Sequence, residues 1–152
     1  MQYWLMKSEP DTFGIDDLAA RPSATEHWDG VRNYQARNMM RDQMRVGDRV
    51  FFYHSACKTP GIAGIAEVVR EAYADHTARD PDSNYYDPKA SDEEPRWYMV
   101  DVKFVRKLKR LIPLSELKAH PALRDMALLK KGNRLSIMPI DAADWQTILA
   151  ME

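Results

Sequence analysis

The sequence predicts one α+β domain spanning residues 1–152, built as a small, curved, mostly antiparallel β-barrel with peripheral helices. Three observations lead there. About five short segments carry strand-like apolar patterns, and short helical patterns lie between or after them. Lys58-Thr59-Pro60-Gly61 separates two of these segments by a turn, the mark of an antiparallel hairpin. A chain of 152 residues suits a single core, and strongly curved strands close into a barrel that hides its edges.

The elements follow in order. Gln2 to Lys7 alternates and is rich in aromatics, so it reads as a strand. Asp11 or Thr12 is placed to cap a short helix through Leu18 and Ala19. Asn33 is placed to cap a helix from Tyr34 to about Arg45, which Val46-Gly47-Asp48 ends. Arg49 to His54 and Ile62 to Ala72 form the hairpin strands. Residues 75–96 are rich in Asp, Pro and Ser, hold Tyr85-Tyr86, and read as a long loop of a kind that often carries function. Trp97 to Lys107 is a third core strand. Ser115 to His120 and Pro121 to Lys131 read as helices, the second started by Pro121 and ended by Gly132. Arg134 to Ile140 reads as a strand, and Asp141 caps a last helix with Trp145, Ile148 and Leu149 on one face.

Composition narrows the function. With 45% hydrophobic and 30% charged residues, the chain has the make-up of an ordinary globular domain. No apolar run is long enough to span a membrane, and Met1 to Pro10 lacks the order of a signal peptide. Cys57 is the lone cysteine, which suits a reducing, cytoplasmic setting. The net charge of −1 excludes a chain coated with basic charge, yet the charge is segregated. Residues 31–50 hold five arginines against Asp42 and Asp48, and residues 97–139 hold ten bases against three acids. Residues 75–96 reverse this, with seven acids against three bases. The scattered histidines, the unpaired thiol and the missing glycine-rich phosphate loop point to no metal and no cofactor.

Trp28 to Asn38 is the most informative stretch. Eleven residues hold two aromatics, two arginines and three side-chain amides. A core has no use for so many amides, and a plain surface has little use for Trp28 and Tyr34. Such a mixture suits a surface that stacks on a flat ring, reads its edge and holds a phosphate. Arg37, Arg41 and Arg45 recur every four residues and share a helix face, an arrangement suited to a nucleic-acid backbone or to plain solvation. In Tyr53-His54-Ser55, alternation sends Tyr53 and Ser55 to one side and His54 to the other, which argues against a His–Ser catalytic pair. Lys7-Ser8-Glu9-Pro10 ends the first strand with groups able to hold a phosphate or a ring carbonyl. Arg134-Leu135-Ser136 opens the late strand with Arg134 and Ser136 on one face.

In this order, Lys7 to Pro10, Trp28 to Asn38, Gly47-Asp48, Phe51 to Ser55, Gly61 to Val68, Pro95-Arg96-Trp97 and Arg134 to Ser136 together resemble the EVE domain family, which includes the thymocyte nuclear protein group. The resemblance covers essentially the whole chain and implies a PUA-like fold similar to the YTH, ASCH and SRA readers. It implies a non-enzymatic domain that takes one base of DNA or RNA, modified in the related readers, into an aromatic-lined pocket. Lys7, Ser8, Trp28, Val31, Asn33, Tyr34, Tyr53, His54, Ser55, Leu135 and Ser136 would form that pocket, and Arg32, Arg37, Arg41 and Arg134 would hold the backbone. Trp28 is the expected stacking ring, and Asn33 and Ser55 the expected edge contacts. Eukaryotic members carry a basic N-terminal extension, so a chain that starts at its first strand reads as a compact bacterial form, taken as a monomer. Two other readings stand beside this one. One is an enzyme acting on a modified nucleotide or nucleoside through Lys7, Glu9 or His54. The other is a protein-interaction module that uses the acidic 75–96 loop.

Overall fold

The computed structural model describes all residues 1–152. Its centre is one mixed six-stranded sheet in the order β2-β5-β4-β3-β1-β6. The strands are β1 (Tyr3–Ser8), β2 (Thr25–His27), β3 (Arg49–His54), β4 (Gly61–Ala74), β5 (Tyr98–Pro113) and β6 (Ile137–Ile140). Strands β1 and β3 run parallel, and every other pair is antiparallel. The sheet is curved but not closed, because β2 and β6 remain its two edges.

Both faces of the central strands are buried, and the two-residue period decides which side chain goes where. Trp4, Met6, Val50 and Phe52 enter one core, together with Trp28, Val31 and Met40. Leu5, Phe51 and Tyr53 enter the other, against Trp145 and Ile148. The first core is covered by α1 (Pro10–Phe13), α2 (Ile15–Ala20) and α3 (Tyr34–Asp42); α4 (Leu114–Ala119) and α5 (Ala142–Leu149) cover the second.

Several boundaries differ from the sequence reading, each for a local reason. One helix over residues 11–19 becomes two, α1 and α2, broken at Gly14, whose backbone is extended. The helix begun by Asn33 stops at Asp42 rather than Arg45. Past it, the buried Asp48 carboxylate accepts from the Arg45 and Gln2 backbone N–H groups and from Trp4 Nε1, each at 3.0 Å. This pulls the chain out of the helix. Residues 121–131 form two 3₁₀ turns, Pro121–Leu123 and Ala127–Leu129, instead of one helix. Leu123, Met126, Ala127, Leu128 and Leu129 all pack on the second core there, and a run of consecutive apolar contacts is met by short turns rather than by one face of a helix. The last strand begins at Ile137, not Arg134, because Asn133 Oδ1 accepts from the Leu135 N–H at 2.9 Å and holds a turn. Asp141 stands at the start of α5, but its side chain makes no capping bond.

Candidate functional site

The topology gathers one set of side chains. Because β1 and β3 are parallel, their carboxyl ends lie together, with Ser8 beside His54 and the Ser55 N–H donating to Ser8 O at 2.9 Å. Because β6 runs antiparallel to β1, the chain entering it arrives at the same end, where the Lys7 N–H donates to Ser136 O at 2.8 Å. Lys7, Ser8, Ser55, Arg134 and Ser136 thus line one cavity of about 650 Å³. The lining also takes in Glu26 to Arg32, which runs from β2, at the other edge of the sheet, into the segment that follows it. The curl of the open sheet therefore brings segments from both of its edges to one cavity.

Trp28 is fixed at both ends. Its N–H donates to Val100 O at 2.7 Å, extending the β2–β5 ladder, and its ring meets Phe52 edge-on at 5.4 Å between centroids. It is 8% exposed, and it lines the cavity. Gly30 follows at φ +79, a left-handed conformation that brings its backbone against the Tyr85 ring. Its N–H donates to Asp75 Oδ2 at 2.9 Å, and Arg32 Nη1 donates to the same oxygen at 3.0 Å. Two further bonds run from Arg32 to the backbone oxygen of Tyr85, at 3.1 and 2.9 Å. Burial alone would raise the Asp75 pKa, but the bonds from Thr77, Gly30 and Arg32 outweigh it and hold the carboxyl below its ordinary value.

The acidic loop is thereby part of the site. Tyr85 lines the cavity, and Asp87 accepts from Trp97 Nε1 at 2.7 Å. The sequence showed Tyr85 as an aromatic in a functional-looking loop but carried no signal that it reaches Gly30.

Of the expected pocket residues, Lys7, Ser8, Trp28, Val31, Ser55 and Ser136 line the cavity, as do Arg32 and Arg134 from the expected backbone contacts. The rest lie elsewhere. Asn33 caps α3, its Oδ1 accepting from the Ala36 N–H at 3.0 Å, and it does not line the cavity whose ligand edge it was expected to read. Tyr34 lies on the outer surface, stacked on Trp97. Tyr53 points into the second core, where burial pushes its phenol up to about 12. His54 faces the opposite way and accepts from the Ile15 N–H through Nε2 at 3.1 Å. Leu135 packs on the second core. Arg37 bonds Asn38 Oδ1 and Arg96 O, and Arg41 pairs with Asp42, so the expected arginine row is tied to the protein's own groups. Tyr53 and Ser55 do not share a side, because the strand ends at His54 and the chain turns there.

Beyond the expected set, the cavity takes in Glu9, Thr12, Phe13, Arg21, Glu26 and His27. Glu9 and Thr12 had a signal of another kind, as a turn residue and a cap candidate, while Phe13, Arg21, Glu26 and His27 belong to no motif in the sequence. With them the cavity is lined by both acids (Glu9, Glu26, Asp29) and bases (Lys7, Arg21, Arg32, Arg134). Glu26 is engaged with Arg21 at 2.8 Å and with its neighbour His27. Ser8 Oγ donates to Phe13 O at 2.6 Å, which ties α1 to the floor. Burial lowers the pKa of the Lys7 amine. Such a space offers a flat heterocycle one indole, several hydroxyls, and both donors and acceptors for its edge.

Comparison with known proteins places this geometry among relatives. The family model described as EVE domain matches residues 2–151. Thymocyte nuclear protein 1 of Danio rerio is 49% identical over 166 residues, covering 98% of this chain and 71% of that protein. The human THYN1 protein, solved in complex with 5-methylcytosine containing DNA, superposes with a TM-score of 0.94 at 47% identity, covering 99% of this chain and 97% of that one. A YTH domain from Zygosaccharomyces rouxii, solved with N6-methyladenosine RNA, shares the fold alone, with a TM-score of 0.55 at 16% identity over 99% of this chain and 83% of that one.

Proposed function

The chain belongs to the EVE domain family, and from that premise we propose that it is a non-enzymatic reader that takes a single, modified base of a nucleic acid into the Trp28 cavity. The observation that carries the reading is the cavity itself, which Trp28 lines together with the grouped ends of β1 and β3 in a space of about 650 Å³. The human relative seen with methylated DNA, at 47% identity, supports a nucleic-acid ligand for the same fold.

Energetics favour this use. Turning a base out of its stack costs a few kcal/mol, and stacking on an aromatic ring returns about 1–3 kcal/mol. A methyl group adds about 0.8 kcal/mol when fully buried, only severalfold in affinity, so discrimination needs contacts to the ring edge. Ser55 and Ser136 supply hydroxyls for that purpose, and Lys7 supplies a donor. Of the residues suggested for acid–base work, His54 already accepts from Ile15, which leaves its Nε2 lone pair occupied. The reading also suits a reducing compartment, where Cys57 remains a thiol.

The test is a binding titration with paired oligonucleotides, identical except for one 5-methylcytosine. Trp28 also belongs to the core, so truncation to Ala would cost about 3–5 kcal/mol of stability and blur the result. Trp28→Phe keeps a ring while shrinking the plate. The parent is expected to prefer the modified strand, and the variant to lose affinity by about tenfold at most. Equal affinity of the parent for both strands sinks the selectivity, and an unchanged variant sinks the stacking role.

A further inference from the structure

Outside the cavity, a second aromatic plate has no role in the reading above. Tyr34 stacks on Trp97 at 4.8 Å with an angle of 21° between the rings, yet 47% of it is exposed. Its hydroxyl receives a hydrogen bond from Arg96 Nη2, so the ring is held from its edge. Arg37 lies 4.7 Å from the Tyr34 centroid and also 5.9 Å from that of Trp97. At these distances it does not lie over the face of Tyr34 turned away from Trp97, so the guanidinium leaves that face uncovered. The Arg37 guanidinium hydrogen-bonds only neutral acceptors, Asn38 Oδ1 and Arg96 O, and makes no ion pair, although Asp42, which is paired with Arg41, is near enough to feel its charge. The stack also leads inward. Arg32, a wall of the cavity, stands 5.2 Å from the Trp97 ring centroid on its way to Asp75.

A fixed, half-exposed ring beside a cation that makes no ion pair, joined through Trp97 and Arg32 to a base-sized cavity, suits a nucleotide. A base stacks on the ring, and the adjoining phosphate meets the guanidinium. We propose that Tyr34 and Arg37 dock the nucleotide adjacent to the one whose base occupies the cavity, with Tyr34 stacking on the neighbouring base and Arg37 contacting its phosphate. The ligand is then a strand that remains unpaired on at least one side of the read base, because a neighbour stacked on Tyr34 has left its own duplex. This inference rests on the reading of the cavity as a base site.

The test compares two ligands on the full chain. One is the mononucleotide 5-methyl-2′-deoxycytidine monophosphate. The other is a single-stranded nonanucleotide with 5-methylcytosine at its centre and 2-aminopurine beside it. Tyr34→Ala is expected to weaken the oligonucleotide by about tenfold and to abolish the fluorescence change of 2-aminopurine on binding, while the mononucleotide binds as to the parent. Arg37→Gln is expected to lower the slope of log affinity against log salt by about one for the oligonucleotide alone. Tyr34→Phe, which keeps the plate and removes only the hydroxyl, is expected to retain the fluorescence change and guards against misfolding of the Ala variant. Unchanged oligonucleotide affinity in Tyr34→Ala, or equal losses for both ligands, overturns the proposal. A parent that binds neither ligand overturns the cavity reading first, and this one with it.

Discussion

Asp75 and Arg32 are locked together at 3.0 Å from loops more than forty residues apart in sequence, with the Asp75 side chain fully buried and that of Arg32 22% exposed. The pair joins the Trp28–Asn38 segment to the acidic loop, and the same carboxylate oxygen accepts from the Gly30 N–H. One buried anion thus sets both the wall and the rim of the cavity.

Asp75→Ala should be among the most damaging single changes near the site. It leaves the Arg32 charge and the Gly30 N–H without their partner, at a cost on the order of 3 kcal/mol. The expected outcome is a fall in Tm of about 10 °C together with weaker oligonucleotide binding. A variant that melts with the parent would show that the carboxylate is not what ties the loop down.

Gly30→Ala tests the approach of Tyr85. A Cβ at Gly30 would lie 2.5 Å from the Tyr85 ring, at a φ of +79 that side chains rarely adopt. The strain should cost about 1–2 kcal/mol and displace Tyr85 from the cavity. Gly47→Ala is the control for φ alone, since nothing lies within 4 Å of that position at φ +97. The expectation is that both variants lose stability, while only Gly30→Ala loses ligand affinity.

Much of this was legible in sequence wherever one residue's neighbours decide its state. Arg49–His54 is a strand as its pattern demands, and Asn33 caps α3 as its type suggests. The Trp28 and Lys7-Ser8 motifs do reach one cavity. Long-range choices were not legible. Period-two alternation sends Tyr53 and His54 to opposite faces but does not say that both faces are covered, and so Tyr53 became core. Nor does a helix-cap signal reveal on which side of the cavity wall the capping residue stands, and Asn33 stands outside the lining. Pro121 and Gly132 bracket residues 121–131 as they would a helix, but the segment between them folds as two 3₁₀ turns whose apolar side chains at 123 and 126–129 are packed together rather than along one helical stripe.

Lys7→Met should separate binding from folding. The amine is half-buried, 5.9 Å from the Tyr53 ring centroid, and burial lowers its pKa from 10.5. Replacing it with an apolar side chain of similar length should change stability by no more than about 1 kcal/mol. The protonated amine is the form that attracts a phosphate or a ring carbonyl, so parent affinity should fall as pH rises through the lowered pKa, earlier than for an exposed lysine. The variant should bind more weakly and show no such alkaline loss. Identical profiles for the two proteins between pH 7 and 10 would remove Lys7 from the ligand contacts.

His54 makes the cavity floor sensitive to acid. Its Nε2 must be unprotonated to accept from the Ile15 N–H, and Phe52 packs edge-on at 5.6 Å. Burial lowers the His54 pKa and Lys107 lowers it further, while Asp16 and Asp17 act in the opposite direction without cancelling the shift. With the folded pKa below the unfolded value of about 6.5, the unfolded chain takes up the proton first. The contribution of His54 is therefore complete above that value and is lost as pH falls through the folded pKa. Protonation sets one N–H against another at the start of α2, and the preceding residues carry Phe13, whose backbone oxygen holds Ser8 Oγ at 2.6 Å. The unfolding free energy of the parent should decline between pH 7 and 5, and His54→Ala, less stable throughout, should lack that part of the decline. Matching pH slopes for parent and variant, measured by denaturant titration, would show that the imidazole does not couple acid to the floor of the cavity.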